Sequence, residues 1–497
     1  MTLFVGLDLG TTGGRCLVVD EEGRRMASAA RPWSYRAEGF GMCELDPDVA
    51  YTAMAEATRE AVSQVEAQDI AAVGVTSQRT GVVLLDDDGT ELYSGPNADG
   101  RAVVEGAELE REHGDLVYRT AGRLPVMLYL PARLAWFRAN RRDVFERARC
   151  ALSFSDWLAF RLTGTPATEP TQAAEMLVYD LASGSWSEDL CEALGVPRHL
   201  LPDIRPVESP TGDLTRDAAE RIGLPPGIPI VAGGCDTQAA ALGLGVTEPG
   251  EAVVVAGSTM LCQQVSAEPL IDDQRRLWTS PHLSGGFVLE AHCSEAGGAL
   301  DWLTGLMAWD HESVDRAAAS AEPGGGGVFF LDAVPSRVGD FPLMRTGALT
   351  FPAPLIALGR SREDVARAAL EGIAFGAKAG LEWLDDVAGS PSSVALGGGV
   401  SRSETFGRVL ATAVGNTVRV ATEPNGSALG AAIVAAVGAG ATGTVTDAAK
   451  SMADAGRAVE PEDSWAAATS SAYAGWRERA ERMEETTMRV SHMIGRA

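Results

Sequence analysis

Apolar and polar positions mark out a small set of short elements at the start of the chain. Leu3–Leu7 is an apolar run ending in the turn Gly10-Thr-Thr-Gly-Gly14. Arg15–Val19 reads as a second strand, Glu21–Arg24 as a second turn and Arg25–Ala30 as a third strand, a β-meander. The period becomes helical over Val49–Gln68, and Ile70–Thr76 is a short buried strand. Val82–Leu85 and Glu91–Tyr93 flank the run "DDDG", which predicts a turn; a calcium loop of the EF-hand kind would need more ligands. Residues from about 103 to 200 predict mostly helix, ended by the Pro- and Gly-rich "LPPGIPIVAGG".

A second strand–turn–strand follows: Ala252–Val255, Ala256-Gly-Ser-Thr259, then Met260–Val265. Its layout repeats the first hairpin, with Gly257-Ser258-Thr259 in the place of Gly10-Thr11-Thr12, and suggests one plan used twice. Glu363–Leu384 predicts a helix, Val394–Leu396 a strand, "GGG" a tight turn and Ser403–Val414 a helix. After Gly443 the tail reads as helical with Arg- and Glu-rich faces.

Length and charge narrow the field. The 497 residues exceed one compact core and imply two to four domains. A formal net charge of -27 repels nucleic acid and anionic membranes, so neither is expected as a partner. Nearly all the positive charge is arginine, since lysine occurs only at Lys378 and Lys450. The seven cysteines are widely spaced without C-x-x-C, against a disulfide framework or zinc finger. "MTLFVGLDLG" has no basic n-region and no apolar run reaches membrane-spanning length, so the expectation is a cytoplasmic protein without a signal peptide.

Several chemistries are missing. No Gly-Lys-Ser/Thr closes a P-loop, and neither a G-x-S-x-G elbow nor H-E-x-x-H occurs. Gly438–Gly443 fits G-x-G-x-x-G but follows an Ala-rich helical stretch rather than a strand, the wrong context for a dinucleotide site. "GLDLGTTGGR", residues 6–15, is more informative. Its glycines let backbone approach a ligand, its N–H groups and the hydroxyls of Thr11 and Thr12 suit phosphate oxygens, and Arg15 suits a transferring phosphoryl group. Asp8 suits magnesium held through water. The same residues also fit an ordinary Gly-rich hairpin with a surface arginine. "VALGGGVSR", residues 394–402, fits either a bare-backbone seat for adenosine or a plain strand-to-helix turn. Asp236 stands alone in the small apolar run "VAGGCDTQAAALGLG", and a carboxylate there needs a partner or a task. It reads as a base with room for an acceptor left by Gly233, Gly234 and Ala239, or as the N-cap of the helix that Gln238–Leu242 begins.

Taken in order, these pieces resemble the FGGY carbohydrate kinases along nearly the whole chain. Residues 6–15 resemble that family's first phosphate loop, "ELDPD" (44–48) its acidic segment, and "GVTSQRTGVVLLD" (74–86) its sugar-side strand and loop. "GGCDTQAAALGLG" resembles the catalytic segment, "AGSTM" the second phosphate loop, "AGGALDWL" (296–303) a nucleotide-side helix, and "ALEGIAFGAK", "LGGGVSRSETFGRVLATAVGNTV" and "SALGAA" the C-terminal signature. The resemblance implies an α/β fold of two actin-like (RNase H-like) ATPase domains around a cleft, split here at 1–245 and 246–497. It implies Asp236 as catalytic base, Thr11, Thr12 and Arg15 at the phosphates, and Ser258, Gly297, Gly398 and Arg402 at the nucleotide. Gln78, Arg79, Asp99 and Thr237 would contact the sugar. ATP and Mg2+ are the implied cofactors, the metal on Asp8 and Asp236. The implied partners are a small sugar and ATP; a homodimer is left open.

The sugar is where the chain departs from the family. Arg79-Thr80 stands where xylulokinases have Met-His and glycerol kinases Arg-Glu. "PNADGR" (96–101) replaces Trp-x-Asp-x-Arg and, with "CDTQAAALGLGV", is nearer the autoinducer-2-kinase-like members. "AVPSRVGDFP" (333–342) lacks the Gly-Glu-Arg-x-Pro of pentulose kinases. A xylulokinase-like ketose kinase is expected first, an autoinducer-2-kinase-like or other polyol kinase second. A non-catalytic actin-like ATP-binding regulator is the rival of another class; retention of Asp8, Arg15 and Asp236 together speaks against it.

Overall fold

The computed structural model describes residues 1–39, 41–332, 334–337, 347–353 and 359–494. Residues 333 and 338–342 of the loop singled out above lie outside the described residues.

Two mixed sheets organise the chain. The first contains β1 (Leu3–Leu9), β2 (Gly13–Val19), β3 (Arg25–Pro32), β4 (Ile70–Ser77), β5 (Pro210–Asp213) and β6 (Pro229–Cys235), in the order β5-β6-β4-β1-β2-β3. β1 is parallel to β4, and β4 to β6, while the hairpin partners β2 and β3 run antiparallel. β1 is buried along its whole length, which its unbroken apolar run requires of a strand covered on both faces. The second sheet contains β7 (Glu251–Ala256), β8 (Thr259–Ser266), β9 (Trp278–Pro281), β10 (Phe287–Glu295), β11 (Ser393–Gly397), β12 (Val418–Val420) and β13 (Arg457–Val459), in the order β9-β10-β8-β7-β11-β12-β13. Within it β7 takes the place of β1: antiparallel to β8, parallel to β11. The repeated hairpin therefore reflects a repeated sheet.

The helices follow their local signals. α1 (Pro47–Val62) starts at Asp46, whose carboxylate accepts from the Asp48 and Val49 amides, with Pro47 at the first turn. It stops at Ser63, short of the predicted Gln68. Residues 103–200 are largely helical as expected, interrupted by strand pairs too short to show in a periodicity. Pro229–Cys235, lying largely in the Pro- and Gly-rich stretch that ends the helical region, is an interior strand.

The small-residue runs have a packing cause. α2 (Asp236–Gly243) and α3 (Gly426–Gly438) cross each other, and α3 lies on β1, β4 and β6 although it follows the second sheet in sequence. A Cβ on Gly6 would fall 1.8 Å from Ala428 O, on Gly74 1.9 Å from Ala431 O, and on Gly430 1.9 Å from Ala239 O. Backbone meets backbone there, and only glycine permits it. Gly233 faces Ala431 in the same way, and Gly234 faces Leu283. The small neighbours of Asp236 thus serve close packing.

Candidate active site

Parallel strands bring the functional side chains to one edge of each sheet, the carboxyl ends, where α/β proteins seat ligands. In the first sheet Asp8 ends β1, Gln78 and Arg79 follow β4, and Asp236 follows β6. In the second, Gly257 and Ser258 follow β7 and Gly398 follows β11.

Asp8 is 4 % exposed and pairs in register with Arg15 across the hairpin. Arg15 Nη1 donates to Asp8 Oδ2 at 3.2 Å, while Oδ1 is buried without a partner. Burial pushes the Asp8 carboxyl up, against the pull of Arg15. Thr11, Thr12 and Arg15 are exposed on the turn. Tyr35 donates to Thr11 O at 2.5 Å, and Asn97 Nδ2 to Thr11 Oγ1 at 3.2 Å.

Asp236 occupies the first helical position of α2, and Cys235 is the N-cap, with no side-chain cap bond. The capping alternative is therefore set aside by one residue of offset. Asp236 Oδ1 is buried and unpartnered. Burial pushes its pKa up to about 7; Arg79 pulls it down, and Asp8 and Glu175 push it further up. A carboxyl poised near neutrality beside a second carboxylate matches what a general base needs. Thr237, its neighbour, is half-buried and donates to Gln238 Oε1.

Arg79 departs from a simple sugar-binding fork. Its Nη1 lies 2.8 and 3.0 Å from the two oxygens of Glu290 on β10, tying one sheet to the other. Arg123 stands 2.8 Å from Glu175, and Trp278 lies against both guanidinium groups, 5.4 Å from each. Thr80 next to Arg79 has φ +57°, an outlier for a β-branched residue and a mark of a functional loop. Gln78 is 1 % exposed; its Oε1 accepts from Asn97 N at 3.2 Å and its Nε2 reaches Gly10 O and Tyr35 Oη at 3.4 Å.

Asp99, expected at the sugar, is engaged within the protein. Its side chain is fully buried, with Oδ1 accepting from Cys43 N and Oδ2 from Tyr93 Oη and Arg101 Nε. Those bonds pin the 96–101 loop.

On the second sheet, Ala296, Gly297 and Gly298 amides donate to the Gly257 and Ser258 carbonyls at 2.8–3.1 Å, clasping the turn onto the helix Gly297–Met307. Gly398, at φ +88°, presses on the same turn: a Cβ would lie 2.4 Å from Ala256 O and 2.9 Å from Gly257 N. Ser258, Gly297 and Gly398 are thus brought together, but the obstacle to a side chain at Gly398 is protein backbone, not a ligand. Arg402 is exposed, with Nε on Gly399 O.

Tyr35, Glu175 and Glu290 were not singled out by sequence, and Asn97 only as part of "PNADGR". A carboxylate inside "FVLEAHC" is the same signal that marked Asp236 and identifies Glu290; the others carry no local signal. Among the described residues no group of three or more His, Cys, Asp or Glu is placed to hold a metal, and no helix is long and apolar enough to cross a membrane.

Residues 3–243 match the FGGY family of carbohydrate kinases, N-terminal domain, and residues 252–439 its C-terminal domain. The autoinducer-2 kinase of Escherichia coli O9:H4 (strain HS) is 30% identical over 466 residues, 88% of this chain and 86% of that protein. The xylulose kinase structure from Rhodospirillum rubrum superposes with TM-score 0.86 at 27% identity, covering 98% of this chain and 100% of that one. A ligand-bound xylulose kinase from Lactobacillus acidophilus superposes with TM-score 0.89 at 19% identity over 99% and 100% of the two chains, a likeness of fold.

Proposed function

The chain belongs to the FGGY family of carbohydrate kinases, ATP-dependent sugar phosphotransferases, and from that premise we propose that its acceptor is a small open-chain polyol or ketose resembling autoinducer-2. The observation behind the kinase chemistry is Asp236: a shielded, unpartnered carboxylate oxygen, poised near pH 7, at the same sheet edge as Asp8 and Arg15. Asp236 takes the proton of the acceptor hydroxyl as that oxygen attacks the γ-phosphorus; positioning and charge stabilisation supply most of the remaining catalysis. Arg15 and the N–H groups and hydroxyls of the Thr11–Thr12 turn bear on the phosphates from one sheet, and Ser258 from the other. Gly297, Gly398 and Arg402 shape the nucleotide side. Gln78, Arg79 and Thr237 face the acceptor.

Magnesium fits this carboxylate pair. Asp8 Oδ1 and Asp236 Oδ1 are both buried without protein partners, and a hard cation that takes a couple of carboxylates with phosphate oxygens and water suits them. Bound there it would neutralise charge on the β- and γ-phosphates.

The acceptor assignment rests on the loop 96–101. Asn97 bonds both to the first phosphate turn and to Gln78, replacing an aromatic side chain with a polar bridge; the 30% identity to an autoinducer-2 kinase runs the same way. Xylulose is the second reading, favoured by the 27% identical Rhodospirillum structure. A coupled ADP-release assay with autoinducer-2, xylulose, gluconate and glycerol decides between them. The highest kcat/KM on autoinducer-2 is expected; on xylulose it would reverse the order, and on glycerol or gluconate it would refute both.

A further inference from the structure

The junction that delivers Asp236 is held by side chains remote from any ligand. Register between β4 and β6 is lost between Ala232 and Cys235, and Gly234 turns to φ +79°. The peptide group joining Gly234 to Cys235 therefore sits at the break in the ladder while still buried, and both its carbonyl and its amide need partners. Gly234 O accepts from Thr76 Oγ1 at 2.7 Å and from Gln172 Nε2 at 3.3 Å. Cys235 N donates to Thr171 Oγ1 at 3.0 Å. Thr171 Oγ1 in turn donates to Glu169 Oε1 at 2.6 Å, which fixes the hydroxyl proton on Glu169 and turns a lone pair toward Cys235. Glu169 itself is locked by the amides of Thr171 and Gln172, each at 2.7 Å. Glu169, Thr171 and Gln172 are each 1 % exposed or less.

We propose that Thr171, oriented by Glu169, is a positioning residue for phosphoryl transfer: its hydroxyl accepts from the amide of Cys235, the N-cap residue of α2, and so fixes the backbone from which Asp236 projects. The proposal rests on the reading of Asp236 as the base. Neither Glu169 nor Thr171 touches the acceptor. Their effect is on where the carboxylate sits, and displacement by an ångström costs up to about 100-fold in rate.

The test replaces Thr171 with valine, nearly the same volume without the hydroxyl, using whichever acceptor of the four gives the fastest turnover. Thr171→Val is expected to lower kcat about 10- to 100-fold while calorimetric Kd values for ATP and acceptor stay put, and Thr171→Ser to restore most of the rate. In an Asp236→Asn background the valine should cost nothing more, because there is no base left to misplace. A merely structural threonine would give equal losses in both backgrounds, and that result overturns the proposal, as does a folded Thr171→Val with unchanged kcat. Should the valine variant fail to fold, Thr171→Ala takes its place in the same cycle. Near-normal kcat in Asp236→Asn alone overturns the base assignment instead, independently of anything at Thr171.

Discussion

Replacing Arg79 by methionine keeps much of the side-chain stem and removes the charge that faces Glu290. The Glu290 side chain is 1 % exposed and would retain a donor close by, Gln263 Nε2 at 2.8 Å. Burial pushes the Glu290 carboxyl up; Arg79 first, then Arg123 and the hydrogen bonds, pull it down so far that it ends below its ordinary value. A carboxyl lowered by folding contributes stability above its unfolded pKa and loses it as pH falls through the folded one. In Arg79→Met the main counter-charge is gone and an uncompensated buried carboxylate remains, a loss of about 3–5 kcal/mol at neutral pH. The deficit should shrink as pH falls into the carboxylate range, where Glu290 becomes neutral in the variant. Arg79→Met/Glu290→Gln should recover most of it at pH 7, since a buried pair repays little more than its own desolvation. Urea unfolding followed by tryptophan fluorescence suits the site, because Trp278 lies 5.4 Å from the Arg79 guanidinium. Glu290 engages Nη1, so the rest of the fork can still meet an acceptor, and the acceptor KM should rise in both variants. Equal destabilisation of the single and double variants would refute the reasoning, for it would place the cost in lost packing rather than in a stranded charge.

Asp236→Asn should fold normally, since Oδ1 makes no bond to lose, and should lower kcat by about 10²–10⁴ with ATP and acceptor still bound; near-normal turnover in the folded variant removes the base assignment. Gly398→Ala should weaken ATP binding and lower the melting temperature while sparing the acceptor, because its Cβ would strike Ala256 O and displace the Gly257–Ser258 turn. Unaltered calorimetric ATP affinity in folded protein would take the phosphates away from that turn. His282, 2 % exposed, is held neutral: burial pushes its pKa down to about 4. A histidine lowered by folding leaves stability untouched above its unfolded pKa and removes it as pH falls, here about 3 kcal/mol between roughly pH 6.5 and 4. His282→Leu should flatten that stretch of the stability curve, and parallel curves for the two proteins would sink the idea.

What could be read from sequence was what repeats locally. Leu3–Val19 and Ala252–Val265 are legible as hairpins because apolar runs broken by a Gly turn admit few other structures. Pro229–Cys235 was not, since proline before it and glycines within it carry the signature of a loop, and its parallel partner β4 lies over a hundred residues away. α3 is apolar on every side, so its sequence names no face, and nothing local shows that it returns to the first sheet. Asp236, Asp8 and Arg15 stood out as charges among small or apolar residues. The roles of Asp99 and Arg79 did not follow from type alone, because each is decided by a partner: Tyr93 and Arg101 close to one, Glu290 211 residues from the other.

The duplicated sheet also explains why the chemistry is one-sided. In the first hairpin the register sets Asp8 opposite Arg15. In the second, the corresponding place opposite Val255 holds Leu261. The same backbone turn is thus offered twice, once with a carboxylate and a guanidinium and once with main-chain groups and the Ser258 hydroxyl. A polyphosphate between two acidic lobes would be repelled. The second hairpin carries no counterpart of Asp8 at its turn, although Glu290 and Glu295 lie on β10 of the same sheet, so a phosphate contact proposed there would come from main-chain groups and the Ser258 hydroxyl. A carboxylate placed at Val255, where the first hairpin has Asp8, should weaken ATP binding measured by calorimetry and leave the acceptor KM unchanged; unaltered ATP affinity in the folded variant would take the phosphates away from this turn.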